Sequence, residues 1–185
     1  HRGRLATIAH VVNRPYDEIL GEFEAAKTRG EQEEGNDALG DVKYHHGAKG
    51  VYTTPNGTKI DVLLASNPSH LEAVNGVVEG ETRALQTDHA HNLPAHDLSK
   101  SAPILVHGDA AFPAQGVVAE VLNLQSLEGY STGGTIHLIA NNQLGFTTDP
   151  DQGRSTHYAS DLAKGFDVPI VHVNGDDVEA CISAV

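Results

Sequence analysis

Ile104-Leu105-Val106-His107-Gly108-Asp109-Ala110-Ala111 and Ile136-His137-Leu138-Ile139-Ala140-Asn141-Asn142 decide the reading of this chain, because in each an apolar run ends in polar residues. Each run reads as a buried strand. Between them, Gly116-Val117-Val118-Ala119-Glu120-Val121-Leu122 reads as a helix. A strand-helix-strand unit of this kind closes as a right-handed crossover between parallel strands, so the strand ends carrying Asp109 and Asn142 are expected side by side. The product is an oxygen-lined notch. Hard cations such as Mg2+ take oxygen ligands and are often held by one or two protein side chains, with phosphate and water completing the shell. Asp109 and Asn142 supply two oxygens, and the backbone carbonyl of Leu144, just before the chain turns at Gly145, is the expected third. Ala110 and Ala111 are small, so their backbone amides at the start of the next segment could approach an anion. On spacing alone, an Asp and an Asn that merely cap helices fit equally well.

Outward from this unit the alternation is regular. A Gly- and Asp-rich loop runs through Gly153, followed by a helix around Thr156 to Lys164, a strand Pro169 to Asn174 and a helix Asp177 to Val185. This is the order of an α/β protein with a doubly wound, mostly parallel sheet and helices on both faces. Upstream, Leu5 to Val12 and Tyr16 to Ala26 read as short helices, with Pro15 where a helix start tolerates it. Gly30 to Gly40 is a polar loop whose Glu31, Glu33 and Glu34 are solvated charge. Val51 to Thr54 and Thr58 to Leu64 flank Pro55-Asn56-Gly57, which is turn chemistry, so a hairpin is expected. Ser69 to Gln86 reads as a helix opened by Pro68, with Leu71, Val74, Val78 and Leu85 at helical spacing. Thr87 to Lys100 is an exposed polar loop.

With 185 residues, 39% hydrophobic and 20% charged, the chain can bury a sizeable core, and length favours a single domain over residues 1–185. A formal net charge of -13 argues against nucleic-acid and membrane-surface partners, because an acidic protein without basic clusters is repelled by phosphate backbones. The same balance means that an anionic ligand needs local positive charge. A lone cysteine, Cys181, excludes an internal disulfide framework and reads as a core thiol within the last helix. No run approaches the length of a membrane span.

Twelve histidines occur, and most are bland. His10, His107, His137 and His172 lie in apolar periodic runs and read as hydrogen-bonded core or strand-end residues. His89, His91 and His96 with Asp88 offer zinc-ligand types, and a metal-dependent hydrolase is the corresponding alternative. They lack the HExxH spacing or paired cysteines of a tetrahedral site. His1 and His45 differ, since both sit near segment ends beside glycines and cationic side chains, where imidazole can move protons at working pH.

Gly108-Asp109-Ala110 with Asn141-Asn142 resembles the thiamine-diphosphate motif in the form used by the first, decarboxylating component of the 2-oxoglutarate dehydrogenase complex. His1-Arg2-Gly3-Arg4-Leu5, Gly40-Asp41-Val42-Lys43-Tyr44-His45, Asn67-Pro68-Ser69-His70-Leu71-Glu72, the run Asn141 to Thr148 and Val173-Asn174-Gly175-Asp176-Asp177 follow that family's order along nearly the whole chain. The resemblance implies the thiamine-diphosphate-binding fold, with the chain as its diphosphate-binding domain, and Mg2+ held by Asp109, Asn142 and Leu144. It implies cofactor contacts at Arg2, Ser69, Leu71, Asp109, Ala110, Ala111 and Asn142, catalytic roles for His1 and His45, and oxo-acid contacts at His45 and Ser69. His70 is left open between the site and a helix start facing away. The implied reaction is decarboxylation of 2-oxoglutarate begun by the cofactor's thiazolium carbon, with the succinyl group passed to a lipoyl-bearing dihydrolipoyl succinyltransferase. The two histidines would stabilise the oxyanion and hold the distal carboxylate or the acceptor.

The resemblance further implies a homodimer, in a bacterial cytoplasm or a eukaryotic mitochondrial matrix. A 2-oxoadipate-specific relative and a non-catalytic module that keeps the cofactor fold are the alternatives. Because His1 opens inside a motif and the family's aminopyrimidine-binding domain follows this one, the chain is expected to be a segment of a longer protein, without full turnover in isolation. It departs from the family's pattern at His46, usually apolar, and at Pro113-Ala114, usually Ala-Gly. The second change removes glycine's freedom after Asp109 and is expected to stiffen that turn.

Overall fold

The computed structural model describes residues 3–21, 45–90 and 93–185. Its elements begin with α1 (Arg4–Ala6), which widens into a π-helical turn (Thr7–Val11), α2 (residues 16–21), β1 (Ala48–Thr53), β2 (Lys59–Leu64) and α3 (Asn75–Leu85). They continue with β3 (Thr87–Asp88), β4 (Ala95–His96), β5 (Ile104–Gly108), α4 (Ala111–Ala114), α5 (Gly116–Leu124), β6 (Ile136–Ala140) and α6 (Val178–Ala184). Short 3-10 segments cover Leu98–Lys100, Pro150–Gln152 and Ala159–Phe166. His1, Arg2, His91 and residues 22–44, which include the polar loop and most of the second motif, lie outside the described residues.

β5 and β6 pair in parallel with α5 between them in sequence, from Ile104 opposite Ile136 to Gly108 opposite Ala140. Their covered face carries His107 and Ile139, and Ile139 packs on a core of Phe112, Val118, Leu122 and Ala163. Phe112 is 1% exposed, which is worth roughly 3 kcal/mol relative to leaving the ring in water. This cluster fixes the floor beneath the two strand ends. The opposite face, with Ile104, Val106, Ile136 and Leu138, is exposed.

The described residues therefore form a mixed helix and strand structure with a small parallel sheet covered on one face. Helices on both faces of a larger sheet are not present among them. Pro169 to Asn174, expected as a strand, has no regular secondary structure and joins no ladder. Val168 and Ile170 still pack on the core, while residues 171–174 are exposed.

Upstream, β1 and β2 form the expected antiparallel hairpin, closed at Thr53 opposite Lys59. Gly57 at φ 86 takes the left-handed position that the turn requires, and Thr54 accepts the Gly57 amide at 2.9 Å. Gly50 is needed for a different reason. A Cβ there would stand 2.5 Å from the Val12 carbonyl oxygen, so the helix end and the hairpin meet through bare backbone.

The helix expected from Ser69 begins only at Asn75, and its buried face is polar. Asn75, Thr82 and Gln86 are buried, while Leu71 and Leu85 are exposed. Gln86 is fully buried and donates to the carbonyls of Ser101 at 2.7 Å and Thr132 at 2.9 Å. Glu79 accepts the hydroxyls of Thr132 at 2.9 Å and Thr135 at 2.7 Å. The helix is thus fastened to the approach of β6 by hydrogen bonds rather than by an apolar stripe. Residues 69–74 are turns, with Glu72 at φ 68. A non-glycine residue there ends any helix running through it.

Three other expectations change. Within residues 87–100, β3 and β4 form a two-residue ladder, and His96 contacts Arg83 at 3.0 Å and Thr87 at 3.1 Å. His10 and His172 are exposed rather than buried, and they contact the Tyr16 hydroxyl at 2.6 Å and the Ser160 hydroxyl at 3.4 Å. Cys181 is partly exposed, since α6 buries no residue, and its thiol lies 3.5 Å from the Asn174 carbonyl.

Candidate functional site at the parallel strand ends

Asp109 follows the last residue of β5, and Asn141 and Asn142 follow that of β6, so the parallel register brings the two polar ends together. The loop beyond Asn142 folds back on the turn after Asp109. A Cβ on Gly145 would lie 3.5 Å from the Ala110 Cβ and 3.2 Å from the Thr148 carbonyl oxygen. Gln143 and Phe146 adopt left-handed backbone at φ 59 and φ 60, and Leu144 between them is exposed. The Asn142 side-chain oxygen accepts the Leu144 amide at 3.1 Å, which fixes its orientation and leaves that oxygen's second lone pair for another partner.

Asp109 is buried, and its Oδ1 has no hydrogen-bond partner. Its Oδ2 lies 3.5 Å from an Nη of Arg154, whose own buried Nε is likewise unpartnered. Buried polar atoms are almost always satisfied. A carboxyl oxygen held at a strand end without a donor therefore suits a cation, and a carboxylate, an amide oxygen and a backbone carbonyl are the donors that a hard divalent ion takes. Ala111 opens α4, which is one turn long and breaks at Gln115 before α5 starts. Pro113 sits inside that turn.

A buried polar string ties this corner to the loop carrying Ser69 and Leu71. Glu72 Oε2 lies 2.6 Å from His107 Nδ1, and His107 Nε2 lies 2.9 Å from His137 Nδ1. The carboxylate accepts, so His107 Nδ1 donates, and the contact between the two rings carries one proton. His107 was expected as a bland core histidine; it is fully buried, yet it bridges three segments. His137 is held well below the ordinary imidazole value of 6.5, at about 4, by burial first and His107 second, with the Glu72 carboxylate opposing both.

The unfolded chain therefore binds a proton between about 6.5 and about 4 that the folded chain refuses, and the fold loses stability as pH falls through that window. His137→Asn should shrink the difference between denaturation midpoints measured above and below the window. An unchanged difference would show that His137 does not carry it.

Ser69 and His70 are exposed in the turn, and Leu71 is 41% exposed. His45 stands at the other end of the same loop. Its Nδ1 donates to the Asn67 carbonyl at 2.6 Å, while the Asn67 amide donates back to the His45 carbonyl at 3.1 Å. His45, His46, Gly47, Ser66, Asn67 and Pro68 line an open cavity of about 580 Å³. Arg4 braces its rim through the carbonyls of His46 at 2.5 Å and Ala65 at 2.8 Å, and burial pulls its pKa below the ordinary guanidinium value. Sequence reasoning missed Arg154 and Glu72 altogether. The available signal was a lone arginine in a Gly- and Asp-rich loop and a glutamate closing the Asn67 to Glu72 string.

Among the described residues no helix is long and apolar enough to cross a membrane. The sequence model described as dehydrogenase E1 component matches residues 1–185. The whole chain aligns at 54% identity over 192 residues with a 2-oxoglutarate dehydrogenase E1 component of Bacillus velezensis, covering 20% of that protein. It aligns at 57% over 185 residues with one from Bacillus cereus, covering 19%, and at 53% over 191 residues with one from a Geobacillus species, covering 20%. The chain spans about a fifth of the length of these curated relatives.

Proposed function

The chain belongs to the dehydrogenase E1 component family, and from that premise we propose that it is the diphosphate- and Mg2+-binding part of a thiamine-diphosphate-dependent 2-oxoglutarate dehydrogenase. The observation that carries this reading is the buried, unpartnered Asp109 Oδ1 at the end of β5, beside the end of β6 that leads to Asn142. Asp109, Asn142 and the Leu144 carbonyl hold the ion. Ala110 and Ala111 offer backbone amides, and Arg2, Ser69 and Leu71 make the remaining cofactor contacts. The β5–β6 pair is the start of a doubly wound sheet, in keeping with the bare apolar face of Ile104, Val106, Ile136 and Leu138.

His45 and His1 act on the oxo-acid, with Ser69 beside them. His45 is placed for such a role because its Nδ1 donates to the Asn67 carbonyl, which fixes the ring at the rim of the open cavity. Thiamine diphosphate supplies the nucleophilic carbon and the electron sink, so this chain's residues contribute placement, charge and proton transfer. In the intact protein, a homodimer in the bacterial cytoplasm, the succinyl group passes to a lipoyl-bearing dihydrolipoyl succinyltransferase.

Release of CO2 by the intact protein, measured with 2-oxoglutarate and with 2-oxoadipate, tests the proposal. The expected result is release dependent on both Mg2+ and thiamine diphosphate, with 2-oxoglutarate preferred. Preference for 2-oxoadipate would overturn the substrate, and no release from either would overturn the enzyme.

A further inference from the structure

Arg154 and Asp109 form a pair that neutralises charge without saturating either partner. Their contact is 3.5 Å through one Nη, with side chains 15% and 4% exposed. A committed arginine-carboxylate pair is bidentate, at about 2.7 to 2.9 Å. Here one carboxylate oxygen and the guanidinium Nε are both buried and unpartnered. A guanidinium carries five donors in a rigid fork suited to phosphate as well as carboxylate. The protein is also strongly acidic, at a formal net charge of -13, so an anionic ligand reaching these strand ends needs a local cation.

We infer that Arg154 is the counter-ion of Asp109 when no metal is bound and the cationic contact of the diphosphate once a divalent ion takes Asp109. The inference rests on the proposed Mg2+ and diphosphate reading and adds a residue to it. It has a thermodynamic consequence. Metal alone competes with the guanidinium for the carboxylate, whereas diphosphate offers the displaced guanidinium a new partner. Arg154 thereby couples the two ligands, each favouring the other.

The test uses the intact protein and two calorimetric titrations, Mg2+ alone and inorganic pyrophosphate at saturating Mg2+, for wild type, Arg154→Gln and Arg154→Lys. Coupling between sites is ordinarily worth at least about fivefold in affinity. Arg154→Gln should therefore bind Mg2+ alone at least about fivefold more tightly and pyrophosphate at least about fivefold more weakly. Arg154→Lys, which keeps the charge but loses the fork, should fall between the two. Opposite signs are the signature, because an arginine that merely supports the fold would weaken both. If Arg154→Gln weakens both ligands or leaves both unchanged while wild type binds metal-dependently, this inference is overturned and the functional reading stands. If wild type itself shows no metal-dependent pyrophosphate binding, both are overturned.

Discussion

Asp109→Asn is expected to weaken metal-dependent binding of thiamine diphosphate by more than about a hundredfold. The scale follows from metal sites in general, where loss of a residue that only supports a ligand costs about 10- to 100-fold, so loss of a charged ligand itself should exceed that range. Asparagine keeps the shape and one oxygen but removes the charge. Because Arg154 touches Asp109 through one long contact, the fold should survive the change, and thermal melting should shift little. Calorimetric titration of the intact protein with the cofactor, at saturating Mg2+, gives the answer. An affinity within about threefold of wild type, less than the usual worth of one charged hydrogen bond, would remove Asp109 from the site.

The second large effect is on structure. Glu72→Ala removes the acceptor of a fully buried imidazole N–H and of the Asn75 side-chain amide, and leaving a buried donor unsatisfied costs about 1 to 3 kcal/mol for each. The Glu72 side chain is 6% exposed and that of His107 is 0%, so water cannot readily replace the lost acceptor. Glu72→Gln keeps an oxygen to accept the Nδ1 proton and should lose less. Glu72→Gly separates backbone from side chain, since glycine relaxes the φ 68 conformation but restores no acceptor. Hydrogen exchange across residues 69–76 and 104–108 should accelerate most in the alanine variant, less in glycine and least in glutamine. Equal protection in all of them would show that the pair does not hold the loop to β5.

The parts of the molecule legible in sequence are those decided by local pattern. The apolar runs at Ile104 and Ile136 with a helix between them specify a parallel crossover, and β5, α5 and β6 form it. Pro55-Asn56-Gly57 specifies a turn because the chain needs a left-handed residue there, and the hairpin closes around it. The helix expected from Asp177 forms as α6, with Asp177 capping it and accepting the Ala180 amide at 2.9 Å. What was not legible depends on partners far along the chain.

Nothing near Ser69 announces that Glu72 turns inward to meet His107, 35 residues away, and that contact is why α3 starts at Asn75. The polar face of α3 is hidden for the same reason, because the Glu79 carboxylate and the Gln86 side-chain N–H groups find their partners at Thr132, Thr135 and Ser101. Of the site, the adjoining strand ends that carry Asp109 and Asn142 were readable from spacing, whereas Ser69 and Leu71 were singled out by resemblance alone and His45 by its setting and by resemblance together. Arg154 was not readable, since one arginine among aspartates looks like surface charge until its distance to Asp109 is known.

Diffraction from crystals of the intact protein grown with thiamine diphosphate and Mn2+ in place of Mg2+ tests the central claim most directly. The account predicts one anomalous peak bound by a side-chain oxygen of Asp109, the side-chain oxygen of Asn142 and the backbone carbonyl of Leu144. A metal peak elsewhere, with the ends of β5 and β6 holding no ion while the cofactor is bound, would contradict it.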